Sequence, residues 1–419
     1  MQKISNFITR YDLSSYIVFL IAGFIFLNPF PHVTALKEIF FYSTIFFIIL
    51  AVVSNKGGVN FRSPLSKPFL FIFLWSAVDL LFAINKMNSL HDIYAHLIKY
   101  FAVYFMIINY FASKEKLNSF SWTILLSSAS FCVWSVSYFY LFLGHPITQQ
   151  LGIDVFQEIP TNIIGIITVF NIILSLQMLS LERRSRHRLV IIFILALLVL
   201  ATLLTQTRSA FLALFLALAI LSFRNRFILV LIITIFILAS FLPVKNRLTP
   251  SAILDKLRSD SRINISYTYI EVIKDFPLQG IGFGLQSYAD EKFMKMYHDR
   301  TDPAQRNPIF IKAPHNFVID IMVRLGIVGL ALYLYALYWA FRMITALIKD
   351  ARDDEGRRWG ITFLAALVAF LIQGMFENVH SGPPAVVFYT LLAMITIFWR
   401  IQREDDANDV AGHEKGCTT

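Results

Sequence analysis

Apolar runs of about 20 residues recur along almost the whole of this chain. Wound as an α-helix, such a run rises roughly 30 Å, the thickness of the hydrocarbon layer of a bilayer. A helix also satisfies its own backbone hydrogen bonds where water is absent, which few other structures do. The runs fall at 15–31, 38–53, 67–84, 93–112, 119–143, 161–180, 188–204, 209–222, 227–243, 317–346, 360–378 and 383–399. The expected fold class is an all-α polytopic membrane protein with about twelve transmembrane helices. Composition supports that class, since 57% of the 419 residues are hydrophobic and 15% charged. Soluble domains are about 45–50% apolar and about 25% charged. A soluble multidomain enzyme, a disordered chain and a collagen-like fibre are thereby excluded.

The net charge of +10 would suit a nucleic-acid partner in a soluble protein. In a membrane chain, excess Lys and Arg mark cytoplasmic loops instead. With the N-terminus placed inside, 21 of the 37 cations fall in inside segments and only Lys37, Lys86 and Arg208 in short outside loops. Both termini are therefore expected to be cytoplasmic. Residues 244–316 form one long outside segment, with 11 basic and 8 acidic residues, and long translocated loops are largely exempt from the charge rule. The chain divides into helices one to nine (1–243), this mainly helical loop region (244–316), helices ten to twelve (317–399) and a tail (400–419). A helix is predicted over 259–274 within the loop. No cleavable signal peptide is expected, and Cys132 and Cys417 have no metal-ligand spacing.

Ionisable residues inside membrane spans are costly and point to function. Here they are Asp79, His96, Lys99, Asp320 and Arg324, with Glu377 and His380 at an outer helix end. All lie toward the outer face. Two readings stand for Asp320 and Arg324, four residues apart: mutual neutralisation, or a polar cavity open to that face with Asn316 and Lys99 as further members.

Three motifs carry candidate chemistry. Thr205-Gln-Thr-Arg-Ser-Ala210 sits between two spans with almost no loop, so Arg208 is either an anion clamp or a snorkelling cation at lipid phosphate. Pro277-Leu-Gln-Gly-Ile-Gly-Phe-Gly284 lacks the strand and Lys-Ser/Thr of a phosphate loop. A tight turn that brings backbone against a neighbour is the better reading of its glycines. Pro314-His-Asn316 precedes the tenth span and puts at the headgroup layer the one side chain that ordinarily titrates near neutrality. His315 is there either a base or a partner of the helix end. Metal ligation is poorly supported, because the histidines are dispersed and no His-Glu-x-x-His or paired-Asp signature occurs. The strained nucleophile turn of a Ser/His/Asp hydrolase is missing too.

Together, Thr207-Arg-Ser-Ala210, Ser261-Arg262, Pro277-Leu-x-Gly-Ile-Gly-x-Gly284, His315-Asn316 and Arg324-Leu-Gly-Ile-Val-Gly329 resemble the O-antigen ligases of Gram-negative lipopolysaccharide synthesis, in order and in topology. The superfamily includes O-antigen polymerases, and Ile319 stands where it often has Leu. The resemblance implies a GT-C-like fold in the bacterial inner membrane with a periplasmic active site. It implies transfer of O-antigen from undecaprenyl pyrophosphate to the outer core of lipid A, with inversion and without metal, cofactor or nucleotide. Arg208 and Arg262, with Arg306 as helper, would then compensate the pyrophosphate leaving group, and His315 would take the acceptor's proton. The expected partners are the two lipid-linked glycans and membrane lipid, not nucleic acid. A polymerase is the nearest alternative. A flippase or transporter is the more distant one, and it would place polar residues near the midplane of paired halves.

Overall fold

The computed structural model describes residues 13–54, 57–152, 160–222, 234, 261–307, 312–351 and 353–416; for 261, 262 and 405–416 only the backbone is described. Fourteen α-helices and no strand occur among the described residues. The first three are α1 (Leu13–Leu27), α2 (Thr34–Val53) and α3 (Ser66–Asp79). Helix α4 (Lys86–Asp92) continues through a π-helical turn, Ile93–Ile98, into α5 (Lys99–Tyr110). A second π-helical turn, Ser137–Phe142, ends α6 (Lys114–Val136). Helices α7 (Thr161–Leu181), α8 (Ser185–Thr205) and α9 (Arg208–Ser222) follow. Beyond the undescribed stretch come α10 (Ser261–Asp275), α11 (Glu291–Arg300), α12 (Phe317–Lys349), α13 (Asp354–Gly374) and α14 (Gly382–Gly416).

Every apolar run of the sequence coincides with one of these helices, except the ninth, 227–243, which lies outside the described residues. Among the described residues six helices are long and apolar enough to cross a membrane, within α2, α6, α7, α8, α12 and α14, and α1 and α9 are shorter apolar helices. The chain is a polytopic helical membrane protein. The sequence shows which stretches are greasy, and packing shows which are central. Only 17% of the apolar stretch of α2 is buried, against 83% of that of α7. A helix apolar all round can be either lipid-facing or central, and neighbours decide which. Helix α7 packs on α8, α9, α13, α6 and α14, so the bundle is built around it.

The tenth span is the main departure from expectation. It is not continuous: Gly326 (φ 64°, ψ −168°) breaks α12. A break inside an apolar helix frees carbonyls that must find donors. The Pro277–Gly284 turn supplies them. Ile281 N–H donates to Val323 O (2.9 Å) and Gly282 N–H to Arg324 O (3.1 Å), while Ile327 N–H donates back to Pro277 O (2.8 Å). From α3, Trp75 Nε1 donates to Leu325 O (2.9 Å). Gly280 and Gly282 both have positive φ, and a Cβ on Gly280 would lie 2.5 Å from the Arg324 carbonyl carbon. A Cβ on Gly326 would run into the Leu278 carbonyl. The glycines of two distant motifs are therefore the two halves of one backbone crossing, the close approach that their spacing suggests.

The predicted loop helix is α10, at 261–275. It lies on α12 through Ile265, Tyr269 and Val272, which share a small apolar cluster with Tyr297 of α11 and Val323. Arg300 ties α11 to α10, 2.8 Å from Asp275 and 3.2 Å from Glu271.

Candidate active site

Helix α12 starts at Asn316, whose side chain caps it by accepting from the N–H groups of Val318 (3.0 Å) and Ile319 (3.1 Å). The amide of the same side chain donates to Met375 O (3.2 Å). The turn after α13 is thus held against the start of α12. One residue earlier, His315 adopts φ +46°, a left-handed conformation that side-chain-bearing residues rarely take. There its Nδ1 is 3.0 Å from Glu377 Oε1. Glu377 is held from two more sides, by Asn162 Nδ2 at the start of α7 (2.6 Å) and by the Asn378 N–H (3.1 Å). The carboxylate is nearly enclosed, at 7% side-chain exposure, whereas the imidazole keeps 31%.

Burial pushes the Glu377 carboxyl upward, but His315, Asn162 and the Asn378 N–H outweigh it and hold it below the usual carboxylate range. An ionised carboxylate accepts hydrogen bonds and cannot donate them. In the neutral imidazole this acceptor favours the proton on Nδ1, which leaves Nε2 its lone pair. That is the tautomer a general base needs. Neighbouring His380 is built the other way. Burial lowers its pKa to about 4, Asp320 opposing this and Arg324 adding to it, so it is neutral near pH 7 and its 3.6 Å approach to Asp320 is no ion pair there.

Arg208 is the first residue of α9 and follows a two-residue elbow, Gln206-Thr207, with Gln206 at φ +51°. Thr205, Thr207 and Ser209 flank this arginine in the sequence with hydroxyl side chains. In the fold, the Thr205 and Thr207 hydroxyls are buried and bond each other at 2.9 Å. The half-exposed Arg208 side chain makes no hydrogen bond or ion pair with a described residue. The elbow belongs to the same end of the bundle as His315. Gly165, one turn along α7 from Asn162, faces both: a Cβ there would lie 3.1 Å from Thr207 Oγ1 and 3.6 Å from Gln373 Oε1, near the end of α13.

The remaining candidates are placed differently. The Arg262 side chain lies outside the described residues. Arg306 is bonded to its own surroundings, with Nε and Nη2 donating to Thr301 O at 3.2 and 2.9 Å, beside the end of α11. Lys99 pairs with Glu38 and lies 5.2 Å from the centre of the Phe41 ring. Of the two readings of Asp320 and Arg324, the geometry is that of a pair. Arg324 Nη1 is 3.4 Å from Asp320 Oδ2, its Nε donates to Phe283 O (2.7 Å), and it stacks 4.1 Å from the Phe283 ring. Both side chains are buried, so they brace the backbone crossing and do not open onto a cavity. Among the described residues no three His, Cys, Asp or Glu side chains are grouped to hold a metal.

Of two further members of this site, Glu377 stands out in the sequence only as an ionisable residue at an outer helix end, with no role, and Asn162 does not stand out at all. Glu377 carries a signal, an acidic residue at a helix end near the membrane surface. Asn162 carries none. Residues 191–334, about a third of the chain, match the family model described as O-antigen ligase. No curated protein matches the chain. The matched stretch runs from α8 into α12, contains Arg208 and His315, and is similar to the O-antigen ligase family that the motifs resemble.

Proposed function

We propose that the chain is a membrane glycosyltransferase with about twelve spans in a GT-C-like arrangement, both termini cytoplasmic and the His315 end periplasmic. It moves O-antigen from undecaprenyl pyrophosphate to the outer core of lipid A in the inner membrane. The observation that carries this reading is the His315–Glu377 pair, which holds a partly exposed imidazole at the same bundle end as Arg208, a guanidinium with no partner among the described residues. The acceptor hydroxyl gives its proton to His315 Nε2 as its oxygen attacks the anomeric carbon from the face opposite the carrier. The bond from that carbon to the pyrophosphate oxygen breaks, and the electron pair leaves with the phosphate. Arg208 and Arg262 compensate the new charge by paired N–H donation, the geometry that favours guanidinium over ammonium. Arg306, already bonded to backbone carbonyls, is at most a helper. Both substrates are confined to one membrane face, so much of the entropic cost of meeting is met by location.

Deletion of the protein from its host tests the reading. Polymer accumulating on the lipid carrier, with bare core, supports ligation. Single repeats attached to the core instead identify a polymerase. Joining of donor glycan to core lipid by the purified chain in detergent removes the transporter alternative.

A further inference from the structure

At the other end of the bundle lies a cavity of about 680 Å³, between the starts of α6, α8 and α13 and the end of α7. Its volume is within the range of about 300–1,000 Å³ typical of small-ligand sites. Helices α7 and α13 both run from the His315 end to this cavity. Each has 21 residues, so the two sites are about 30 Å apart along the helix axes. That is the hydrocarbon thickness, which puts the cavity in the opposite headgroup layer.

The lining has two parts. Leu117, Trp359 and Phe398 form an apolar floor, and all three are buried. Charged side chains form the rim, most of them already matched. Lys114 is 3.5 Å from Asp353, Arg358 pairs with Asp354, and Glu182 accepts from the Arg184 N–H and lies 3.1 Å from His187. Three rim groups stay unmatched: Arg183, Arg188 and Glu355 have no side-chain partner among the described residues. Two unmatched guanidinium groups and one unmatched carboxylate over an apolar floor fit an amphiphile with a phosphate and a protonated amine.

We propose that this cavity binds the headgroup of a membrane phospholipid of the phosphoethanolamine type. Arg183 and Arg188 take the phosphate and Glu355 takes the ammonium, while the glycerol end of the lipid meets the apolar floor. A headgroup that is only anionic would leave Glu355 unmatched and face its repulsion. A quaternary amine would match the charge but offer no N–H to the carboxylate.

The test uses the purified full chain in detergent, with added phosphatidylethanolamine, phosphatidylglycerol or phosphatidylcholine of identical acyl chains. Retained lipid is read by native mass spectrometry and stability by thermal unfolding. Phosphatidylethanolamine is expected to be retained most and to raise Tm most. The Arg183→Ala, Arg188→Ala double variant should retain it about tenfold less, the effect of losing a charge-assisted bond or two. Glu355→Gln should move the preference to phosphatidylglycerol. These side chains are surface groups, so the variants should fold and the comparison stays interpretable. Equal retention of the three lipids, a wild-type preference for phosphatidylglycerol, or indifference to both variants overturns the proposal. Free O-phosphoethanolamine without acyl chains separates the sources: an equal Tm rise with it would make the ligand a soluble metabolite and overturn the lipid assignment.

Discussion

Arg324 and Arg208 both look like membrane-embedded arginines beside a motif, yet the fold treats them oppositely. Arg324 is 3% exposed and its donors are occupied by the Phe283 carbonyl and Asp320. Arg208 is half-exposed at a helix start, with no partner among the described residues. The first closes a break in α12 and belongs to the architecture. The second is a charge with donors in reserve, which is what an incoming phosphate requires. Occupied donors, more than charge or depth, separate the structural arginine from the one proposed to bind phosphate here.

The largest effect should come from breaking the structural partner. Arg324→Ala leaves Asp320 ionisable, buried and unpaired, a loss of about 3–5 kcal/mol. The detergent-solubilised variant should show a sharply lower Tm, and adding Asp320→Asn should restore part of it. If Arg324→Ala unfolds at the wild-type temperature, the architectural assignment is wrong.

The proposed catalytic end should behave in reverse. His315→Ala is expected to lower the transfer rate by about 10²–10⁴ with Tm nearly unchanged. Glu377→Gln replaces an acceptor-only carboxylate by an amide whose NH2 can donate to Nδ1, so the His315 tautomer is no longer fixed, and it should lower kcat by about tenfold while KM stays near wild type. Normal turnover by either variant in a purified assay would sink the dyad.

Comparing arginines within the site sharpens the contrast. Arg208→Lys keeps the charge and loses the paired N–H geometry, so activity should fall by about tenfold or more. Arg306→Ala should cost less activity than Arg208→Lys, because its donors already serve the end of α11. The reverse order in one assay would transfer the phosphate role to Arg306.

A further expected effect is a pH dependence of stability. The folded pKa of His380 is about 4, below its ordinary value, so between about pH 6.5 and 4 the unfolded chain binds a proton that the folded chain refuses. Stability from this group is therefore full above about pH 6.5 and declines on acidification through that window. Glu377, whose folded pKa is lowered, acts in a more acidic window. Its contribution is present above the ordinary carboxylate pKa and is lost as pH falls through its lowered value. His380→Gln should flatten the decline of Tm between pH 6.5 and 4, and an unchanged slope would show that other groups set it.

Much of the fold was legible in the residues. Runs of apolar residues locate helices because lipid offers the backbone no partner outside the segment. The helix over 261–275 and the close backbone approach at Gly280 and Gly282 also followed from local pattern. The break at Gly326 did not, because a single glycine in a long apolar run is compatible with either a continuous or a broken helix. The candidate site was half legible. His315 and Arg208 stood out by type and position, and the family match covers both. Asn162 and the role of Glu377 were hidden, since nothing near residue 162 indicates a contact with residue 377.

The sequence by itself determined the membrane class, the helix positions and the motif family, all properties of local pattern and of the solvent around each segment. Only the tertiary structure decided which arginine is occupied and which has no partner among the described residues, that α7 is central and α2 peripheral, and that His315 meets Glu377. Those outcomes depend on which helix faces pack together, and apolar periodicity in a membrane chain is nearly silent on that, because lipid and protein are equally greasy neighbours.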